Sequence, residues 1–226
     1  MLGLAFAAHA HAATVAMWTF EQSHPTSAGP FAPEVGQGIA AGSTHGTFRN
    51  DQAVLGNFVG NGSTWSFASH GWQAGDYFQF QVSTLGRNDI HLSWDQTRSF
   101  NGPADFALQY STDGHDFHDF ALYSVLWNQS IVNRLFWDVV HPRQSVYTFN
   151  FNLAAVDAID NAPTVFFRLR ASEDGAVPEG SGRVDNLQVT AASTAIPLPS
   201  AGFTGLIVLA AVCGFLSLRR RAARIM

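Results

Sequence analysis

A strict two-residue alternation of apolar and polar side chains recurs along this chain and leaves little room for any class but all-β. YFQFQVS sets Phe78, Phe80 and Val82 against Gln79 and Gln81, and DIHLSWDQ sets Ile90, Leu92 and Trp94 against His91, Ser93 and Asp95. DFALQYS does the same with Phe106, Leu108 and Tyr110, YTFNFN with Tyr147, Phe149 and Phe151, and TVFFRLRA with Val165, Phe167 and Leu169. Successive side chains on a strand point to opposite faces, so each segment reads as a strand with one face buried. No long helical period competes. Turn signals at Gly60-Asn61-Gly62, Gly86-Arg87-Asn88, Asn101-Gly102-Pro103 and Asp113-Gly114 recur at strand-length intervals, as an antiparallel sandwich requires. The expected fold is a jelly-roll β-sandwich of two antiparallel sheets with about ten strands over residues 13–192. Trp18, Trp94, Phe78, Phe80, Phe149 and Phe167 are its expected core.

Charge and cysteine use narrow the function classes. Every one of the 17 acidic residues precedes Pro199, while four of the 12 basic residues, all arginine, follow Leu218. The body is therefore strongly acidic, repels phosphate backbones and is not expected to bind nucleic acid. The single cysteine, Cys213, lies in an apolar run near the C-terminus, so the sandwich can form no disulfide of its own and depends on burial.

Both ends read as address segments. Residues 1–12 carry a short apolar stretch followed by Ala10-His11-Ala12, which satisfies the small-residue cleavage rule of a secretory signal. The basic stretch that usually leads such a signal is missing, which implies a true start upstream of Met1; the competing reading is an ordinary first strand from Ala13. Residues 203–218 contain no charge and no proline. As a helix they would extend about 24 Å, a marginal transmembrane span for a hydrocarbon core of roughly 30 Å. Arg219, Arg220 and Arg221, in the basic tail 219–226, would keep the C-terminus cytoplasmic and the sandwich outside. A buried core helix is the alternative, and the adjacent arginines argue against it.

The linker 193–202 contains Ile196-Pro197-Leu198-Pro199-Ser200. With the short apolar run and the arginines that follow, it resembles the C-terminal sorting signal of PEP-CTERM proteins in its V-P-L-P-A variant, with Ile for Val, Ser for Ala and an extra AARIM at the end. The resemblance covers the tail alone. It implies an exosortase as processing partner, a Gram-negative exopolysaccharide producer as host, an inner-membrane precursor, and a mature protein at the cell surface or in the extracellular matrix.

Candidate chemistry in the body is sparse. In GSGRVDNLQVT, a period of two puts Asp185 on the same inward side as Leu187 and Val189, where an unpaired carboxylate would cost several kcal/mol. Together with WTFE near the start, this resembles the paired first and last strands of carbohydrate-binding jelly rolls. That likeness implies a structural calcium held by Glu21 and Asp185; the alternative is that Asp185 accepts from a backbone N–H or from Arg183. YSTDGHDF is similar to the Asp-box turn of sialidase-like repeats, but it occurs once, which excludes a propeller, and Ser111 and Asp113 suffice to bond the turn's own backbone. His115 and His118 lack a third ligand at zinc spacing. No nucleophile elbow or phosphate loop is present. Trp72 and Trp127 beside loops are candidate sugar-stacking platforms. His91, Asp95, Gln79, Gln81, Arg168 and Arg170 are expected on an outer sheet face that is either solvated surface or a glycan cleft. The sequence thus supports a non-enzymatic exported protein that binds glycan, such as exopolysaccharide, or builds matrix. A glycan-active hydrolase or lyase, with Asp95 and Asp105 as facing carboxylates, and a purely structural surface protein are the alternatives.

Overall fold

The computed structural model describes residues 12–43, 59–128, 134–172 and 180–193. Among them are eleven strands: β1 (Ala12–Trp18), β2 (Val35–Gly36), β3 (Gly38–Gly42), β4 (Phe67–His70), β5 (Tyr77–Val82), β6 (Arg87–Arg98), β7 (Asp105–Ser111), β8 (His118–Ser124), β9 (Thr148–Asn152), β10 (Val165–Ala171) and β11 (Ser181–Ser193). The alternating segments of the sequence become β5, β6, β7, β9 and β10. One sheet runs β2-β1-β11-β6-β9, with β4 pairing along the first part of β11; the other runs β3-β5-β10-β7-β8. All strand pairs are antiparallel. From β4 onward the chain changes sheet at every connection except the β7–β8 hairpin, which is jelly-roll winding. The first and last strands pair, Trp18 opposite Leu187 and Ala12 opposite Ala192.

Burial follows the alternation. Phe78, Phe80 and Val82 of β5 meet Val165, Phe167 and Leu169 of β10 on the inner face, all of them buried. Trp18 packs edge-on against Phe80 with ring centroids 5.3 Å apart. At the other end of the core, Trp94 stacks on Phe149 and Phe151, at 5.5 and 5.4 Å, while Tyr123 from the opposite sheet meets it edge-on. Phe149 is half-buried; the other five expected core aromatics are fully enclosed.

Trp72, expected to be an exposed sugar platform, belongs to this core instead. It is 3% exposed, packs against Phe78 and Phe106, and donates its indole N–H to the Ser69 carbonyl. The segment between β4 and β5 carries its side chain into the core, where burial of the large ring is favourable because its N–H finds an acceptor.

Among the described residues no helix is long and apolar enough to cross a membrane. The expected span 203–218, the motif Ile196, Pro197, Leu198, Pro199 and Ser200, the Arg219–Arg220–Arg221 cluster and residues 1–11 of the expected signal lie outside the described residues.

Candidate functional site

The terminal strand carries a bulge where the sequence has Asp185-Asn186. Pairing with β6 slips between Asp185 and Gln188, and Asn186 adopts φ 51°, a left-handed conformation that asparagine tolerates better than most residues. The extra residue breaks the two-residue parity. Val184 and Leu187 both face the core, and Asp185, expected beside Leu187 and Val189, stands on the outer face directly opposite Asp95. It is nonetheless fully buried, as is Asp95, because the segments around residues 59–66 and 143–148 lie over the pair.

These covering segments supply the hydrogen bonds. Asp185 accepts from the Asn61 backbone N–H (2.9 Å), the Ser63 hydroxyl (2.6 Å), and both the backbone N–H and the side-chain amide of Asn186 (2.7 and 3.0 Å). Asp95 accepts a bidentate pair from Arg143, Nε at 2.6 Å and Nη2 at 2.7 Å, and further bonds from Thr148 Oγ1, Asn61 Nδ2 and Asn186 Nδ2. Asn61 closes the link by accepting from the Gln144 N–H and donating to its carbonyl. Burial pushes the Asp185 carboxyl up to about 7 against the opposing pull of Ser63, Asn61 and Asn186, with the Asp95 charge adding to the rise. The hydrogen bonds from Arg143 to Asp95 raise the guanidinium above its ordinary value.

The residues present do not fit the expected calcium. A hard cation needs oxygen ligands with free lone pairs, whereas Asp185 is surrounded by N–H and O–H donors and Glu21 Oε1 accepts from the Trp65 N–H at 2.7 Å. Among the described residues no group of three or more His, Cys, Asp or Glu converges on one point. The hydrogen-bonding alternative describes Asp185, with Asn61 rather than Arg183 as the donor.

Beside this cluster the outer face of β11-β6-β9 is recessed. One open recess of about 320 Å³ is walled by His91 and Ser93 of β6, Asn150 and Asn152 of β9, and Gln188 and Thr190 of β11. A second, of about 420 Å³, shares Ser93 and Asn150 and adds Arg143, Ser145 and Thr148. The two adjoin at Ser93 and Asn150, and we treat them as one groove whose lining is mostly amides and hydroxyls, with one imidazole, one guanidinium and the apolar Leu92 and Phe151. That lining can donate to and accept from a polyhydroxylated ligand along its length.

The remaining expected site residues do not share this groove. Arg168 is on the other sheet, where its guanidinium lies between the rings of Tyr77 (3.9 Å) and Phe117 (3.5 Å) and its Nε donates to Gln79. Arg170, Gln79 and Gln81 line that same far face, so the single outer face expected for His91, Asp95, Gln79, Gln81, Arg168 and Arg170 is in fact two. The alternation marks which residues point outward but not which sheet a strand joins. Trp127 is half-buried in a bridge to Arg98, with the exposed Phe100 edge-on to it at 5.6 Å. Asp95 and Asp105 belong to different sheets, and Asp105 accepts from Ser124. Sequence reasoning missed Asn150 and Asn152, though the NFN alternation in β9 signals both. It also missed Asn61, Ser63 and Arg143, which lie in covering segments without any period.

No family model matches the sequence, and no curated protein does. Among solved structures, the chain is similar to the CBM22-1 xylan-binding domain of Paenibacillus barcinonensis Xyn10C, at 12% identity and TM-score 0.43, over 83% of this chain and 100% of that one. It is similar also to the K1 cleaved adhesin domain of Lys-gingipain from Porphyromonas gingivalis W83, at 11% identity and TM-score 0.39, over 80% and 98% of the two chains. Likenesses this distant leave the fold to the chain's own sheets and the function to its own surface.

Proposed function

We propose that this protein is an exported, non-enzymatic glycan-binding jelly roll, delivered to the cell surface or matrix by exosortase processing of its PEP-CTERM-like tail. The observation that carries the binding reading is the groove over β11, β6 and β9. Most of its walls are hydrogen-bonding side chains on three adjacent strands, joined by Arg143 and Ser145 from the covering segment, so the strand-borne part loses little ordering entropy on binding. The non-enzymatic reading is supported by the fate of the carboxylates a hydrolase would use. Asp95 is enclosed and tied to Arg143, and Asp105 belongs to the other sheet.

Affinity electrophoresis and calorimetry against a panel of soluble polysaccharides test this. His91→Ala with Asn150→Ala removes two exposed groove side chains, each contributing about 1 kcal/mol through hydrogen bonding, so Kd for a bound glycan is expected to rise roughly 30-fold at unchanged melting temperature. Unchanged affinity in this double variant would place binding elsewhere.

A further inference from the structure

The groove differs in charge from the acidic composition of the chain. In a chain with 17 acidic and 12 basic residues, no carboxylate lines either recess among the described residues; the ionisable side chains there are His91 and Arg143. Arg143 is half-exposed and half-engaged. Its Nε and Nη2 are held by Asp95, which is fully buried beneath it, while Nη1 has no acceptor among the described residues. A guanidinium carries five N–H donors, and the bidentate pair uses two. Asp95 therefore acts as a mount: it fixes the plane of the fork and leaves Nη1 uncommitted on a half-exposed side chain that lines the recess with Ser93, Ser145, Thr148 and Asn150.

Building on the glycan-binding reading above, we infer that the groove selects acidic polysaccharide, with the free edge of Arg143 taking the carboxylate of a uronate and the flanking hydroxyls and amides taking ring hydroxyls. Asp95 offsets the formal charge of Arg143, so selection comes from directed N–H donors to a planar anion and from the absence of repelling carboxylates in the lining. A neutral sugar cannot use those donors as fully, because a hydroxyl accepts a weaker bond from a guanidinium than a carboxylate does.

The probes are polygalacturonate and alginate, each paired with its methyl ester, in which the backbone is kept and the charge removed, together with dextran and xylan as neutral polymers. The full chain is expected to bind at least one polyuronate at least tenfold more tightly than the matching ester. Arg143→Gln should erase that preference. Because this change leaves Asp95 buried without its partner and can compromise folding, a second variant is decisive: Asn150→Asp adds one carboxylate at an exposed groove position, and although loss of the amide donor weakens binding of both polymers, polyuronate binding should fall at least tenfold more than ester binding. Gln81→Asp, on the opposite sheet, should change neither. Equal binding of acid and ester, or polyuronate binding indifferent to Asn150→Asp, overturns the inference while glycan binding itself stands. Failure of every polymer to bind overturns both.

Discussion

Asn186 decides the architecture of the buried cluster. Its left-handed backbone makes the bulge that turns Asp185 away from the core, and its amide then donates to Asp185 and Asp95 together. The result is two enclosed carboxylates facing one guanidinium, an arrangement that favours keeping a proton. The unfolded Asp185 carboxyl ionises near 3.8 and the folded one near 7, so the native state holds a proton that the unfolded chain has released across that interval. The contribution of this group to stability is therefore fully present below 3.8, is lost as pH rises toward 7, on the order of 4 kcal/mol in all, and does not change above it. Asp185→Asn, which imitates the protonated form, is expected to flatten this dependence and to melt above the unmutated protein at pH 8. Thermal melts at pH 5 and pH 8 check it. Since Asp185 is held by donors, melting of the unmutated protein should be the same in calcium and in chelator; a calcium-dependent rise that Asp185→Asn abolishes would restore the metal reading.

At the scale of elements, the segment around residues 59–66 acts as a clasp over β11. Gly60 is where it comes closest: a Cβ there would run into the Asp185 carboxylate and the Trp65 carbonyl. Gly60→Ala is expected to destabilise by about 2 kcal/mol, because the clasp must lift and leave Asp185 short of donors in a buried place. Hydrogen exchange reads this directly. The amides of Asn61 and Trp65, which donate to Asp185 and Glu21, should lose protection, while those of the β5–β10 ladder keep theirs. Uniform loss of protection would show that the clasp and the sandwich unfold as one unit. The turn of the β7–β8 hairpin is closed by its own groups: the Ser111 hydroxyl accepts from the N–H groups of Asp113 and Gly114, and Asp113 accepts from those of His115 and Asp116. Those backbone bonds draw the exposed Asp113 carboxyl down to about 2, so its stabilising effect is present above 3.8 and is lost as pH falls toward 2. This single Asp-box-like turn closes a hairpin.

For the whole molecule, the expected route of export makes a separate prediction. A marginal span after a Pro-x-Pro motif is what an exosortase substrate presents, and the mature chain from its native host should begin near Ala13, end near residues 199–202 and lack Cys213. Intact-mass measurement of the surface or secreted protein checks both ends at once. Recovery of a chain that retains Arg221, from a host with active exosortase, would remove the sorting reading while leaving the groove and its ligand class untouched.

The class of fold was legible in the sequence because burial on one face of a strand imposes a two-residue period, which β5 and β10 keep end to end and β6 keeps from Asp89 to Trp94. The pairing of β1 with β11 was legible from the resemblance of their motifs. The same period misplaced Asp185, since one left-handed residue reverses the parity and alternation carries no mark of a bulge. It also merged His91 with Arg168, for a strand pattern says which residues point out but not which sheet the strand joins. Only the tertiary structure brought Asn61, Arg143 and Thr148 to Asp95, across 34, 48 and 53 residues of chain. Contacts of that kind depend on where covering segments come to rest, and that is decided by which buried charges need donors, a condition that exists only once both strands are in place.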